Sequence, residues 1–376
     1  MQRALVIADD LSGAAEIAGL GHRYGLSARL ARAPGGAPAS PGLSVFDTDS
    51  RALPAESAAQ CVRSLLRHLA DEPFDLIYKK TDSVLRGPVR AEIEAVMEVF
   101  NRRAALLVAA NPSRGRTIRQ GVYRIDGVPL DQTPFADDPD HPARSSHVLE
   151  LLAKHGTQRL HIADPNACAT LEPGITLGDA GSAEDVDRWA SLLDQQVLPC
   201  GGADFFQAIL RQRGLGPVRP FLDRMQGDTR LFVCGSASAY SRQLAHIAER
   251  HSVQVLPMPD DTGVWIGQVR AALERTERAM INIARPIDRS PGASLRYQEA
   301  LAEVVEAVLQ RSRIDLIFLE GGATASAVCR RLGWDTFAIV GELATGVVAM
   351  QPQRPQAPGI VVKPGSYPWP DAVWRG

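Results

Sequence analysis

The chain reads as an α/β protein of two domains, each a mainly parallel sheet flanked by helices. Strand-like and helix-like patterns alternate along almost its whole length, which argues for parallel sheets covered by helices. Its 376 residues exceed what one ordinary hydrophobic core organises. The alternation lapses in a stretch rich in Gly, Pro and Arg, 211–227. The domains are therefore placed at 1–212 and 229–376, with 213–228 as the linker.

The first strand is 4–8, an apolar run of strand length, followed by a helix over 12–24. A short strand, 43–46, ends in Asp47-Thr48-Asp49-Ser50-Arg51, and an amphipathic helix covers 56–69. Buried strands are read at 74–78 and 104–109, with a helix at 89–100 between them. From 115 to 140 the periodicity breaks down under Gly115, Gly121, Gly127, Pro129 and Pro134, so hairpins or an excursion are expected. Such a long irregular insert is more often functional than idle. A helix at 148–155, a strand at 159–163 and a helix at 182–193 complete the first set. In the second, strands are expected at 230–234, 253–256, 279–284, 314–319, 336–340 and 359–362. Helices are expected at 238–250, 264–275, 295–311 and 325–332.

Bulk composition excludes several classes. A hydrophobic fraction of 45% and a charged fraction of 22% are those of a soluble globular protein. A net charge of -2 gives no electrostatic case for nucleic acid or an anionic membrane. Any bound anion must be held by a local cluster. The five cysteines are far apart and form no C-x-x-C pair, which disfavours disulfides and zinc and fits a cytoplasmic protein. The opening apolar run is too short for a signal peptide, and no later run has the length of a membrane span.

Chemistry concentrates where strands end, the side on which open α/β sheets bind ligands. The most informative stretch is Tyr78-Lys79-Lys80-Thr81-Asp82-Ser83-Val84-Leu85-Arg86-Gly87. The chain has only four lysines among 41 basic residues, so two adjacent ones look chosen for a compact ammonium donor. Strand alternation sends Lys79 and Lys80 to opposite faces, and Lys80 with Asp82 and Ser83 is the favoured set. Arg86 alone reads as a solvated helix-start residue. With Arg51, at the end of another strand, it becomes a carboxylate clamp. Asp9-Asp10 sits at the mouth of the first strand. Two carboxylates there can bind a cation, accept hydrogen bonds from a polyol or take a proton from a hydroxyl, and one is expected to be only a helix N-cap. In the second domain, Cys234-Gly235-Ser236-Ala237-Ser238 and Glu320-Gly321-Gly322-Ala323-Thr324 each join a strand to a helix. Their small residues let backbone N–H groups approach phosphate oxygens. Lys363-Pro364-Gly365-Ser366 after a final strand adds a third such turn. None matches the Walker pattern or Gly-x-Gly-x-x-Gly.

With these residues in place, the chain resembles the four-carbon acid sugar kinases, which phosphorylate threonate, erythronate and 3-oxo-tetronates with ATP. The likeness rests on Ile7-Ala-Asp-Asp-Leu-Ser-Gly-Ala-Ala15, Asp49-Ser50-Arg51, residues 79–87, and Asn111-Pro112 with Gly115-Arg116-Thr117. It extends to Phe135-Ala-Asp-Asp-Pro139, Gly235-Ser236-Ala237-Ser238, Gly321-Gly322 with Thr324, and Lys363 with Gly365. It implies an N-terminal domain that binds the sugar acid and a C-terminal one that binds nucleotide. Candidate substrate contacts are then Asp9, Asp10, Arg51, Lys80, Thr81, Asp82, Ser83 and Arg86, with Asp10, Lys80 and Asp82 as the catalytic set. Ser236, Gly321, Gly322, Ala323, Thr324 and Gly365 would hold ATP, with Mg2+ bridging its phosphates and no protein metal ligand assigned. Two departures stand out: Ala323 where the family usually has Glu, and Lys363-Pro-Gly-Ser-Tyr-Pro368 where it usually has Lys-Ser-Gly and then Phe-Gly. They motivate the alternative of a sugar-acid-binding protein of the same fold with weak or no catalysis. Small-molecule acid and ATP are the implied partners, and a homo-oligomer is left open.

Overall fold

A computed structural model describes residues 3–32, 41–153, 156–235, 248, 250–286, 288–290 and 292–375. The chain divides into two compact units, Met1–Val218 and Arg219–Gly376.

The N-terminal unit contains β1 (Arg3–Ala8), α1 (Leu11–Arg23), β2 (Ala28–Ala31), β3 (Gly42–Asp47), α2 (Ala55–Leu66), β4 (Leu76–Lys80), α3 (Val89–Val99) and β5 (Ala104–Val108). An excursion follows, built of β6 (Arg116–Arg119), β7 (Val122–Ile125) and β8 (Val128–Pro129). The unit closes with α4 (Val148–Leu152), β9 (Leu160–Ala163), β10 (Gly174–Gly178), α5 (Ala183–Ser191), β11 (Val197–Gly201) and α6 (Ala203–Gln212). Its main strands run parallel in the order β2-β3-β1-β4-β11-β5-β10-β9. β1 lies between β3 and β4, so the chain reverses its direction of growth there. In open α/β sheets a crevice opens at such a switch point. β6, β7 and β8 form a separate antiparallel sheet, the hairpin excursion expected between 115 and 140.

The C-terminal unit contains β12 (Arg230–Cys234), β13 (Gln254–Pro257), α7 (Thr262–Thr276), β14 (Arg278–Asn282), α8 (Ala293–Leu309), β15 (Leu316–Glu320), α9 (Gly322–Arg331), β16 (Thr336–Ala344), β17 (Val347–Pro352) and β18 (Gly359–Lys363). Its order is β13-β14-β12-β15-β18-β17-β16. The first five are parallel, while β17 runs antiparallel to both neighbours. An aromatic stack forms its core. Phe232 and Phe318 lie parallel with centroids 4.4 Å apart, and Trp374 stacks on Phe232 at 5.0 Å. Arg230 fixes the end of the chain by donating to the carbonyls of Val373 (3.1 Å) and Arg375 (2.7 Å).

Several expected elements are corrected. The strand expected at 74–78 lies at Leu76–Lys80, so both lysines are strand residues. β2, β10, β11, α6 and β17 were not expected. β11 carries Pro199 inside the parallel sheet, a residue that normally argues against an interior strand. The residues read as a linker from 211 start inside the last turn of α6. The helix expected at 238–250 falls almost entirely outside the described residues.

Candidate functional site

The site is built where β1 and β4 end side by side. Ala8 pairs with Lys80, so Asp9 and Thr81 leave the sheet at the same level. Residues of β4 alternate as the strand period requires. Tyr78 turns to α6, where its hydroxyl donates to the Gly202 carbonyl at 2.7 Å and its ring meets Phe206. Lys80 shares that side and lies 3.6 Å from Glu16 of α1. Lys79 points the other way, to Glu92 of α3, at 2.9 Å. All four of these charged side chains are buried. An isolated charge would be far too costly there, so each ammonium requires its carboxylate.

Asp10 is the N-cap of α1: Oδ1 accepts from Gly13 N–H at 2.9 Å and Oδ2 from Ser12 Oγ at 2.8 Å. One of the two adjacent aspartates is thus a cap, as expected. Gly13 is required by proximity, because a Cβ there would lie 2.8 Å from Asp10 Oδ1 and 3.2 Å from Lys80 Nζ.

Arg51 enters from the loop after β3 and binds three aspartates at once. Its Nε donates to Asp9 Oδ2 at 2.6 Å, its terminal nitrogens reach Asp10 at 2.7 and 3.0 Å, and Nη1 lies 3.4 Å from Asp82. Arg86 holds Asp82 through both oxygens, at 2.8 and 3.0 Å, and reaches Asp138 at 2.9 Å. The two guanidiniums expected to clamp a substrate carboxylate are therefore engaged by the protein's own carboxylates. The electrostatic consequence is direct. Burial alone would raise the Asp82 carboxyl, yet Arg86 and Arg51 hold it well below the usual carboxylate range. Asp9 is likewise pushed up by burial but held below its ordinary value by Arg51 and Lys79. Burial opposes charge on Arg51, but Asp10, Asp9 and Asp82 keep its pKa well above the ordinary arginine value.

The excursion closes on the same cluster. Arg116 of β6 donates to the Ser83 hydroxyl, and the Tyr123 hydroxyl of β7 donates to the Ser83 carbonyl. Arg86 and Arg116 both lie near the Phe135 ring, at 5.5 and 5.8 Å from its centroid. Sequence reasoning gave no role to Arg116, Tyr123, Glu16 or Glu92. The excursion's own irregularity was the available signal for the first two.

In the C-terminal unit, Gly321 adopts φ 92° and the helix α9 begins without a side-chain cap. The turn is pinned by Gly321 N–H donating to the Lys363 carbonyl at 2.9 Å. Lys363 Nζ lies 2.8 Å from Glu320 Oε2, both side chains fully buried, and 5.0 Å from the Trp369 ring centroid. Gly235 leaves room for Thr324, whose Oγ1 would lie 2.0 Å from a Cβ at 235. Gly322 and Thr324 are buried and Ala323 is exposed in the first turn of α9, with Gly365 half-buried after β18. Ser236 lies outside the described residues. The uncapped N-terminus is suited to an anion, since its first N–H groups have no intrahelical acceptor.

The chain resembles known proteins over most of its length. The sequence profile described as a Sugar-binding N-terminal domain matches residues 4–209, and that of a Nucleotide-binding C-terminal domain matches 231–367. Over 91% of the chain and 89% of the relative, the protein is 27% identical to a D-threonate kinase of Salmonella typhimurium. It is 28% identical to the D-threonate kinase of Bordetella bronchiseptica, over 98% of this chain and 95% of that one. A D-erythronate kinase of Heliobacterium modesticaldum is 27% identical over 88% and 86% of the two chains. Among solved structures, a Salmonella typhimurium LT2 protein described as a tRNA synthase superposes with a TM-score of 0.77 over 98% of this chain and 97% of that one. At 20% identity it shares the fold alone. Through its N-terminal sugar-binding and C-terminal nucleotide-binding domains, the chain belongs to the four-carbon acid sugar kinase family.

Proposed function

We propose that the protein is an ATP-dependent kinase that phosphorylates a hydroxyl of a four-carbon sugar acid: threonate, erythronate or a 3-oxo-tetronate. The observation that carries this reading is a sugar-binding domain followed by a nucleotide-binding domain in a chain similar over most of its length to relatives named as kinases of such acids. In this reading residues 1–212 bind the acid, 213–228 link and 229–376 bind nucleotide. A reaction that consumes ATP suits the cytoplasm, and no described helix is long and apolar enough to cross a membrane.

Phosphoryl transfer asks a protein mainly for positioning and charge neutralisation. Asp9, Asp10, Lys80, Thr81, Asp82 and Ser83 line the carboxyl ends of β1 and β4 and would contact the acid. Arg51 and Arg86 would act by holding those aspartates and by lending them positive charge. One carboxylate of the cluster would accept the proton of the attacking hydroxyl. Ser236, the turn 321–324 and Gly365 would hold the triphosphate. The N–H groups that open α9 belong to the backbone, so Ala323 in place of Glu leaves them intact. For that reason the kinase reading is preferred to a binding protein without catalysis. Mg2+ would neutralise charge on the β- and γ-phosphates. Among the described residues no group of three His, Cys, Asp or Glu side chains could hold a metal ion. Phosphates and water usually supply most of the ligands of Mg2+.

The test is ADP release from ATP and Mg2+ with a panel of four-carbon acids of both configurations. Turnover with at least one acid is expected. A wild-type enzyme silent across the panel, yet folded, would end the kinase reading.

A further inference from the structure

Three aspartates surround Arg51, and they differ in what their oxygens already do. A carboxylate offers about four lone-pair sites. Asp10 uses four: Oδ1 meets Gly13 N–H at 2.9 Å and Arg51 Nη2 at 2.7 Å, while Oδ2 meets Ser12 Oγ at 2.8 Å and Arg51 Nη1 at 3.0 Å. Asp82 is as crowded. Its Oδ2 accepts from Val84 N–H at 3.2 Å, Arg86 N–H at 3.1 Å and Arg86 Nε at 3.0 Å, and its Oδ1 from Arg86 Nη2 at 2.8 Å with Arg51 Nη1 at 3.4 Å. Asp9 is different. Oδ2 accepts from Arg51 Nε at 2.6 Å, but Oδ1 is buried with no hydrogen-bond partner among the described residues.

The neighbouring strand repeats the pattern. Thr81 Oγ1 is also buried without a partner among the described residues. The register that pairs Ala8 with Lys80 brings Asp9 and Thr81 to the same level of the sheet's carboxyl edge. By the strand period both fall on the face that carries Lys79. Unsatisfied buried polar atoms are rare in native structures, and each calls for an explanation such as a bound group. An acceptor beside a hydroxyl, both bare, is what one alcohol of a polyol satisfies.

Resting on the kinase reading above, we propose that Asp9 is the carboxylate that takes the proton from the attacking hydroxyl, with Thr81 holding that hydroxyl in place. The substrate oxygen forms a bond to the γ-phosphorus, and the bond from that phosphorus to the β,γ-bridging oxygen breaks. The bridging electron pair leaves with ADP, and the hydroxyl proton moves to Asp9 Oδ1. Asp10 and Asp82, whose oxygens already hold several of the protein's own donors, are less suited to take the proton and fix Arg51 and the chain turns around the substrate.

The test compares Asp9→Asn, Asp10→Asn and Thr81→Val in steady-state assays, with acid affinity measured separately by calorimetry. Asp9→Asn keeps the shape and is expected to lower kcat by about a hundredfold to ten-thousandfold, the usual cost of losing a placed base. Its affinity for the acid should change far less. Thr81→Val should lower kcat/KM by about tenfold, the cost of about one hydrogen bond. An Asp9→Asn enzyme with wild-type kcat overturns the assignment while leaving the kinase reading intact; a wild type that phosphorylates no acid removes both. Should Asp9→Asn fail to fold, an unchanged kcat/KM in Thr81→Val is enough to reject the proposal.

Discussion

Lys79 Nζ lies 2.9 Å from Glu92 Oε2 in an interior where neither side chain is more than 1% exposed. The Ser50 hydroxyl donates to the other carboxylate oxygen, and Thr48 Oγ1 lies 2.6 Å from Ser50 Oγ. The pair thus ties β4, α3 and the loop that delivers Arg51 into one network. Burial pushes the Glu92 carboxyl up, against the pull of Lys79. Removing one partner of a buried pair leaves an uncompensated charge, at a cost of about 3–5 kcal/mol. Lys79→Met should therefore lose stability of that order in urea unfolding at pH 8. The loss should shrink at pH 5, where Glu92 can take up a proton. Lys79→Met/Glu92→Leu should be less unstable than Lys79→Met alone.

Gly87 stands at φ 81°, and a Cβ there would lie 2.8 Å from the Arg51 carbonyl oxygen. Gly87→Ala combines a left-handed backbone, worth about 1–2 kcal/mol against an L-residue, with a push on the segment that positions Arg51. The melting temperature should fall, and KM for the acid should rise more than KM for ATP. A larger change in the ATP constant would count against this coupling.

The Glu320–Lys363 pair supports the Gly321 turn from beneath, since the carbonyl of Lys363 accepts the Gly321 N–H. Lys363→Met should strand the Glu320 carboxylate and loosen the opening of α9. ATP affinity, measured by calorimetry, is expected to fall by about tenfold or more with acid affinity little changed, as for the loss of about one charged hydrogen bond.

Asp47 behaves differently from Asp9 and Asp82. Burial, with the Asp49 charge beside it, pushes its pKa up to about 7 despite Arg32. In the unfolded chain it would titrate near 4. Between those values the folded state binds a proton that the unfolded state has released. This group's contribution is therefore fully present below pH 4 and is lost as pH rises towards 7. Asp47→Asn should flatten the fall in stability between pH 5 and pH 8, as read from chemical unfolding at each pH.

Much of this site could be read before the fold was known, because polarity at strand ends is visible in one dimension. The pair Asp9-Asp10 and the turn 81–87 do follow strand ends, although β4 runs two residues further than read, and the small-residue turn at Gly321 does open a helix. What the sequence hid is convergence. Arg51 and Arg86 looked like donors for a ligand carboxylate, and only the fold shows Asp9, Asp10, Asp82 and Asp138 meeting them. Glu16 and Glu92 drew no reading of their own, yet both lie on buried helix faces. The scarcity of lysine was a clue to them, since each strand lysine needed a partner. β11 and α6 were missed because Pro199 and Gly201-Gly202 resemble a chain break, although Phe205, Phe206, Ile209 and Leu210 recur with helical spacing.

All three described lysines, Lys79, Lys80 and Lys363, are enclosed with a glutamate each. Among the described residues, acylating and cross-linking reagents that seek primary amines should thus find few lysine targets. On the described surface, cationic character comes instead from arginine, which keeps its charge far into alkaline solution.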